Sequence, residues 1–279
     1  PEGLSWANVE MSLEVNNVRS GDDWLGATSA KLSLLDGKLR VSPLKISIPG
    51  GSVSLAGQIE AQQDEFDIAI QGQVHHFDYG VIARRIDNKT DMGGNLSTYF
   101  NLTSLANTPD SLMNNANGFI GFSIWPQEFE ADLIDLWAVN LTDAILPSFT
   151  KEQESVLNCV AGGFDITNGD LQQRDLLLGT TRIQVNGNFS ASYSDRTFDL
   201  YLAPRPKSAQ IFSLQTPIEV SGNFEDFDLS VPFSAILETS VRFTTSPVIS
   251  PIRWLVEKPL DSDGSHLCEM ISRGTPIKK

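Results

Sequence analysis

Apolar and polar residues alternate in three similar pairs of segments along this chain. The first segment of each pair has a glycine at its fifth position, and the second begins with Phe-Asp. The pairs are 53–59 with 66–70, 183–189 with 198–202, and 218–224 with 227–231. A period of two predicts β-strands with one apolar face, and the short gaps predict antiparallel hairpins.

The hairpins belong to larger related units at 37–70 and 169–202. Asp36-Gly37 lies between two alternating runs, and the segment 164–169 ends in Asn168-Gly169, so both predict tight hairpin turns. Repetition of such units lengthens a sheet. We therefore predict a mainly β fold, a curved and twisted antiparallel sheet that forms an open groove, with a few short helices.

Three helices interrupt this pattern. Residues 78–86 have near-helical apolar spacing, and Thr108 followed by Pro109 is typical of a helix start. The clearest amphipathic helix is predicted at 129–146, where Leu133, Trp137, Leu141 and Ile145 recur every four residues before Pro147. This helix either packs into the core of the sheet or forms a movable cover over an apolar groove.

The chain is expected to form one continuous β-rich domain over 1–231, followed by an irregular tail over 232–279. Prolines at 247, 251 and 259 break up the tail, in which residues 251–256 predict a short helix.

Composition narrows the function. The chain has 279 residues, is 41% hydrophobic and carries a formal net charge of −15. Such acidity argues against nucleic-acid binding and against broad adsorption to anionic headgroups. The sequence has no run of 18 apolar residues and begins with Pro, so we expect a fragment or processed form whose anchor lies upstream.

The sequence predicts no catalytic, metal or cofactor site. The three histidines are His75, His76 and His266, and adjacent residues of a strand point to opposite faces, so His75 and His76 are not expected to share a metal. No Gly-x-Ser-x-Gly elbow occurs. The phase of the alternation places Asp67, Asp199 and Asp228 on a solvated face. We therefore expect a protein that is not an enzyme.

The two cysteines leave two alternatives open. Cys159 lies in a strand-like stretch and Cys268 in the predicted tail. A disulfide between them would tie the tail to the sheet and contribute about 4 kcal/mol. Two separate thiols are equally compatible with the sequence.

Over residues 133–231 the chain resembles the C-terminal region of the AsmA family of Gram-negative envelope proteins. The resemblance lies in an ordered series of motifs: LWAVNL at 136–141, ILP at 145–147, LNCVA at 157–161, FDITNG at 164–169, RIQVNGNF at 182–189, FDLYLAPRPK at 198–207 and TPIEVSG at 216–222.

This resemblance implies a periplasmic protein anchored in the inner membrane, with a bridge-like lipid-transfer architecture and a link to phospholipid transport and outer-membrane assembly. The implied partners are phospholipid acyl chains and envelope proteins. The apolar residues expected to line the groove are Val53, Leu55, Ile59, Phe66, Ile68, Ile70, Trp137, Leu141, Ile183, Val185, Phe189, Phe198, Leu200 and Leu202. The alternative is a scaffold in envelope assembly that carries no lipid.

Overall fold

The described residues contain thirteen strands, which form one antiparallel sheet in which each strand pairs with its neighbours along the chain. The structure is a computed structural model and describes residues 8–20, 23–48, 50–87, 89–90, 93–127, 129, 156–207, 217–225, 227–230 and 265–272. The strands are β1 Val9–Ser20, β2 Asp23–Leu35, β3 Lys38–Ile48, β4 Gly51–Gln62, β5 Glu65–Asp78, β6 Gly93–Ala106, β7 Asn117–Gln127, β8 Leu157–Thr167, β9 Asp170–Thr180, β10 Ile183–Ser192, β11 Thr197–Pro206, β12 Ile218–Asn223 and β13 Phe227–Ser230.

The sheet is open, because β1 and β13 are its two edges and do not pair with each other. The prediction of a mainly β, open antiparallel sheet with few short helices is therefore confirmed. All three repeated pairs are hairpins, formed by β4 with β5, β10 with β11, and β12 with β13.

Two of the hairpin turns have the backbone conformation that their sequences predict. Asp36 and Gly37 have φ values of 49° and 76°, and Asn168 and Gly169 have φ values of 50° and 79°. Two consecutive left-handed residues are characteristic of a type I′ turn, whose twist matches that of the flanking strands.

Shifts of register interrupt several strand pairs. One lies between Val41 and Leu44 of β3, and it accommodates Pro43, which has no N–H to donate to the ladder. Another lies in β9, where Arg174 is the extra residue opposite Gly163 and Phe164 of β8. Bulges of this kind bend a strand and increase its local twist.

Two short helices lie where the sequence predicts them. Helix α1, Gly80–Ile86, connects β5 to β6, and helix α2, Pro109–Asn114, connects β6 to β7. Thr108 and Ser111 form a capping box at the start of α2, which confirms the predicted N-terminus. The helices predicted at 129–146 and 251–256 fall outside the described residues, apart from position 129.

The predicted irregular tail contains a helix that the sequence did not reveal. Helix α3, Ser265–Ser272, contains Cys268, which forms a disulfide with Cys159 of β8 across 109 residues. Cys268 is therefore part of an ordered element, and its placement in irregular chain was wrong. The domain division into 1–231 and 232–279 stays a prediction.

Among the described residues, buried apolar side chains form two small clusters. Cys159, Ala161, Leu177 and Cys268 form the first, against which Trp125 packs. This cluster lies between α3 and the sheet. Ile183 and Val185 form the second, together with Leu178 and Leu202.

No helix in the described part of the chain is long and apolar enough to cross a membrane.

Candidate functional site

The strand register brings the predicted groove residues that the structure describes to a single face of the sheet. Val53 of β4 lies opposite Val74 of β5, and Ile70 of β5 lies opposite Leu102 of β6. In the second repeated unit, Val185 lies opposite Leu178 of β9, and Phe189 lies opposite Leu200 of β11. We call this side of the sheet the apolar face and the other side the opposite face.

The apolar face continues through the strands between the two repeated units. Twelve of the predicted groove residues share it: Val53, Leu55, Ile59, Phe66, Ile68, Ile70, Ile183, Val185, Phe189, Phe198, Leu200 and Leu202. Trp137 and Leu141 lie outside the described residues. The register adds side chains that the prediction omitted, among them Leu44, Val74, Leu102, Ile120, Phe122, Phe164, Ile166 and Leu178.

Exposure varies along the apolar face. Val9, Met11 and Leu13 of the edge strand β1 are each about half exposed, and Ile70 is 37% exposed. By contrast, Ile183 and Val185 are nearly inaccessible, at 2% and 1%. The apolar face is thus packed around Ile183 and Val185, whereas it is more accessible at β1, at Ile70 and at Phe224, which is 50% exposed.

Glycines let large side chains lie flat on the apolar face. A Cβ on Gly72 would lie 2.5 Å from the Phe100 ring, and one on Gly162 would lie 2.8 Å from the Phe122 ring. Leu176 occupies the corresponding space over Gly187. The neighbouring side chains therefore cover backbone that the glycines would otherwise leave exposed.

A row of phenylalanine rings crosses the strands in the second half of the sheet. The ring centroids of Phe122, Phe164, Phe189, Phe198 and Phe224 follow one another at separations of 6.2, 5.6, 6.5 and 6.2 Å. These separations are within the range of favourable aromatic pairs. The row makes the apolar face continuous in the direction perpendicular to the strands.

The one strand that the row skips, β9, carries the polar residue Gln173 on the apolar face. Its side-chain carbonyl accepts from the Phe189 N–H at 2.9 Å, and its amide donates to Asn188 at 2.8 Å. Gln173 thereby supplies a hydrogen bond where the β9–β10 ladder is irregular. Because its amide is bonded, this polar residue does not interrupt the face with an unpaired group.

The described helices leave the middle of the apolar face uncovered. Helix α3 packs on the opposite face, where Cys159 and Leu177 lie. Helices α1 and α2 lie at the two ends of β6. Ser104, on the apolar face, donates to the Leu112 carbonyl of α2 at 2.9 Å, so α2 covers only that end.

Outside the apolar cluster beneath α3, the opposite face is mostly polar and contains a group of interacting side chains around the β9 bulge. The Arg174 guanidinium donates twice to the Asp165 carboxylate and lies 4.6 Å from the centre of the Phe119 ring. Phe119 in turn lies 6.2 Å from the Tyr99 ring. The bulge thus directs Arg174 to the face on which its partners lie.

A bulge near the end of β5 changes the directions of the His75 and His76 side chains. His76 has a φ of 46°, the register shifts between Val74 and Phe77, and the two imidazole centroids lie only 4.2 Å apart. The expectation that they point to opposite faces was wrong, because the bulge breaks the period of two. His76 stacks instead on Trp125, with a centroid separation of 6.3 Å.

The described part of the chain contains no group of three or more His, Cys, Asp or Glu side chains placed to hold a metal ion. Burial, and secondarily the charge of Asp78, raises the pKa of the Tyr79 hydroxyl above its usual value. Tyr79 therefore stays neutral at physiological pH.

The fold and this face define a class: a β-sheet module that presents an extended apolar surface. The model of the AsmA family matches residues 7–176, and the chain therefore belongs to the AsmA family. Membership supports a cell-envelope role related to lipid transport. The family match extends nearly to the start of the chain, whereas the motifs recognised in the sequence lie over 133–231.

Among curated proteins, the chain is similar to the AsmA family protein YhjG of Escherichia coli (strain K12). The two are 21% identical over 245 residues, which cover 87% of this chain and 36% of YhjG. The chain thus spans about a third of the length of that relative. No solved structure matches significantly.

Proposed function

We propose that this chain binds phospholipid acyl chains on its apolar face and conducts them along it. The observation that carries the proposal is the continuity of that face across neighbouring strands from β1 to β12. Headgroups would stay at the margin of the sheet in water, while acyl chains slide across the apolar floor.

The energetics of hydrocarbon transfer explain why such a surface is useful. Exposing an acyl chain to water costs about 0.8 kcal/mol per methylene, so a chain of about sixteen carbons costs on the order of 13 kcal/mol. A continuous apolar surface removes most of that barrier. The mechanism is passive, and Ile70, which is 37% exposed, marks a position where contact with lipid requires little rearrangement.

We propose a periplasmic location, in a longer protein anchored in the inner membrane that contributes to phospholipid transport and outer-membrane assembly. Family membership supports an envelope role. The Cys159–Cys268 disulfide supports an oxidising compartment, because disulfides persist in the periplasm and are rare in the cytosol.

A second candidate is a scaffold that assists envelope assembly without carrying lipid. The burial of Ile183 and Val185 favours it, since this part of the apolar face is already packed. The proposal of lipid binding therefore rests on the accessible part of the face, and Val185 is a core residue, unsuited to a test of lipid binding.

Native mass spectrometry of the gently purified chain tests the proposal, with two aspartate variants of β6. Leu102 lies on the apolar face, and the adjacent, exposed Thr103 lies on the opposite face. We expect co-purified phospholipid in the wild-type chain and in Thr103→Asp, but not in folded Leu102→Asp. A lipid-free wild-type chain that also fails to bind a fluorescent fatty acid would favour the scaffold.

A further inference from the structure

Helix α1 exposes apolar and basic side chains together at one end of the sheet. Ile82 is 49% exposed and Ile86 is 84% exposed, and they lie one turn apart on the same side of the helix. Arg85 lies beside Ile86, and Lys89 follows in the turn after the helix; both are exposed. We call Ile82, Arg85, Ile86 and Lys89 the α1 stripe.

The charges around the α1 stripe are unequally paired. Arg84 forms an ion pair with Asp78 at 3.3 Å, whereas the ion pairs among the described residues include neither Arg85 nor Lys89. Asp87 accepts from the backbone N–H of Lys89 at 3.0 Å, so its carboxylate orders the turn. The stripe therefore offers two cations and two isoleucines to a binding partner.

Isoleucines flanked by cations match the chemistry of an anionic bilayer surface. The alkyl groups enter the region between headgroups and acyl chains, and the cations meet lipid phosphates. The formal net charge of −15 opposes adsorption of the whole molecule. However, charges beyond about 8 Å are largely screened at physiological salt, so the charges near the contact matter most, and there Arg85 and Lys89 outnumber Asp87.

We propose that the α1 stripe docks the sheet on an anionic phospholipid bilayer. Helix α1 joins the end of β5 to the start of β6, and Phe77 and Leu96 pair at that same end of the apolar face. Docking here would bring the end of the apolar face next to the bilayer, so that acyl chains could enter from the side. This inference rests on the proposed function.

Helix α2 provides an internal comparison at the other end of β6. It exposes Leu112 and Met113, at 36% and 45%, but its first turn carries Asp110 and its last turn has no basic residue. Exposed apolar area is thus present at both ends, whereas its combination with cations occurs at α1. This makes the α2 pair the matched control for the apolar part of the α1 stripe.

Co-sedimentation with vesicles tests the proposal using the whole 279-residue chain. The vesicles contain either phosphatidylethanolamine and phosphatidylglycerol at about 7:3, or phosphatidylcholine alone, in about 0.15 M salt. The variants are Ile82→Ser with Ile86→Ser, Arg85→Gln with Lys89→Gln, and the control Leu112→Ser with Met113→Ser.

The wild-type chain and the α2 control are expected to bind the anionic vesicles, and each α1 variant is expected to bind about tenfold more weakly. Phosphatidylcholine vesicles are expected to bind the wild type and the Arg85, Lys89 variant equally weakly. Absence of wild-type binding to anionic vesicles, or equal binding by all variants, overturns the proposal and leaves a protein partner as the occupant of the stripe.

The experiments distinguish failure of the proposed lipid-binding function from failure of the docking proposal. Leu102→Asp leaves the α1 stripe unchanged, so it should sediment with anionic vesicles even though it no longer retains lipid. A wild-type chain that carries lipid but does not sediment with anionic vesicles would contradict the docking proposal alone. A wild-type chain that sediments with anionic vesicles but does not carry lipid would contradict the proposed function alone.

Discussion

At the scale of single residues, glycine determines how closely the aromatic rings approach the sheet. A Cβ at position 162 would lie 2.8 Å from the Phe122 ring and 2.9 Å from the Phe164 ring. We expect Gly162→Ala to lower the free energy of unfolding in urea by about 1–3 kcal/mol, because the rings must move. The loss should shrink in a Phe122→Ala background; strict additivity of the two changes would contradict this explanation.

Two leucines on the opposite face differ in burial, so they show whether burial or apolar character alone determines the contribution of a leucine to stability. Leu177 is 1% exposed beneath α3, and Leu105 is 45% exposed. Leu177→Ala is expected to lower the free energy of unfolding by about 2–5 kcal/mol, through lost burial and the cavity left behind. Leu105→Ala should change it by no more than about 0.5 kcal/mol. Similar losses at both positions would show that the buried cluster contributes little.

Alternation predicted the facing of single residues where the strands are regular. It placed twelve groove residues on one face, and the register agrees. It failed at His75 and His76, because the left-handed φ of His76 breaks the period of two. The phenylalanine row was also missed as a unit, since three of its four ring contacts join residues at least 25 positions apart in the sequence.

At the scale of elements, two type I′ turns allow backbone strain to be separated from steric clash. Gly37 and Gly169 have nearly equal φ values, 76° and 79°. A Cβ at Gly37 would meet nothing within 4 Å, whereas one at Gly169 would lie 2.8 Å from the Met113 carbonyl oxygen.

We therefore expect Gly37→Ala to lower the free energy of unfolding by about 1 kcal/mol, because the alanine must adopt the left-handed conformation. Gly169→Ala should lower it by at least about 1 kcal/mol more, because α2 must also move. Calorimetry of the two variants measures the difference in the free energy of unfolding. Equal losses would mean that moving α2 costs no measurable free energy.

The disulfide holds α3 on the sheet. Cys268→Ser is expected to lower the free energy of unfolding by about 4 kcal/mol, since the bond closes a loop of 109 residues. Amide exchange should become fast in 265–272 while β10 and β11 keep their protection. The double variant with Cys159→Ser should lose no more than the single one, and retained protection of α3 would show that packing alone suffices.

Hairpins and the first two helices could be predicted because their signals are local. Turn residues, a capping box and period-two alternation all lie within a few residues of each other. Helix α3 could not be predicted, because it has no acidic residue in its first turn and no basic residue in its last turn, and its order depends on contacts with β8, which is distant in sequence, and on the disulfide with Cys159.

At the scale of the whole molecule, the apolar face is the product of strand order. The sequence predicted antiparallel hairpins, but only the pairing of every strand with its chain neighbours joins them into one open sheet. Such long-range continuity depends on register at the β6–β9 junctions, which the local pattern does not specify. The AsmA family match supports an envelope role but does not identify a cargo.

If hydrocarbon occupies the apolar face, site-specific photo-crosslinking in living cells should capture lipid there and not on the opposite face. A benzophenone amino acid is placed at Ile70, on the apolar face of β5, or at the adjacent Gln71, on the opposite face. Covalent phospholipid adducts are expected at position 70 and not at position 71. Adducts at both positions, or at neither in a folded protein, would contradict occupancy of the apolar face by hydrocarbon.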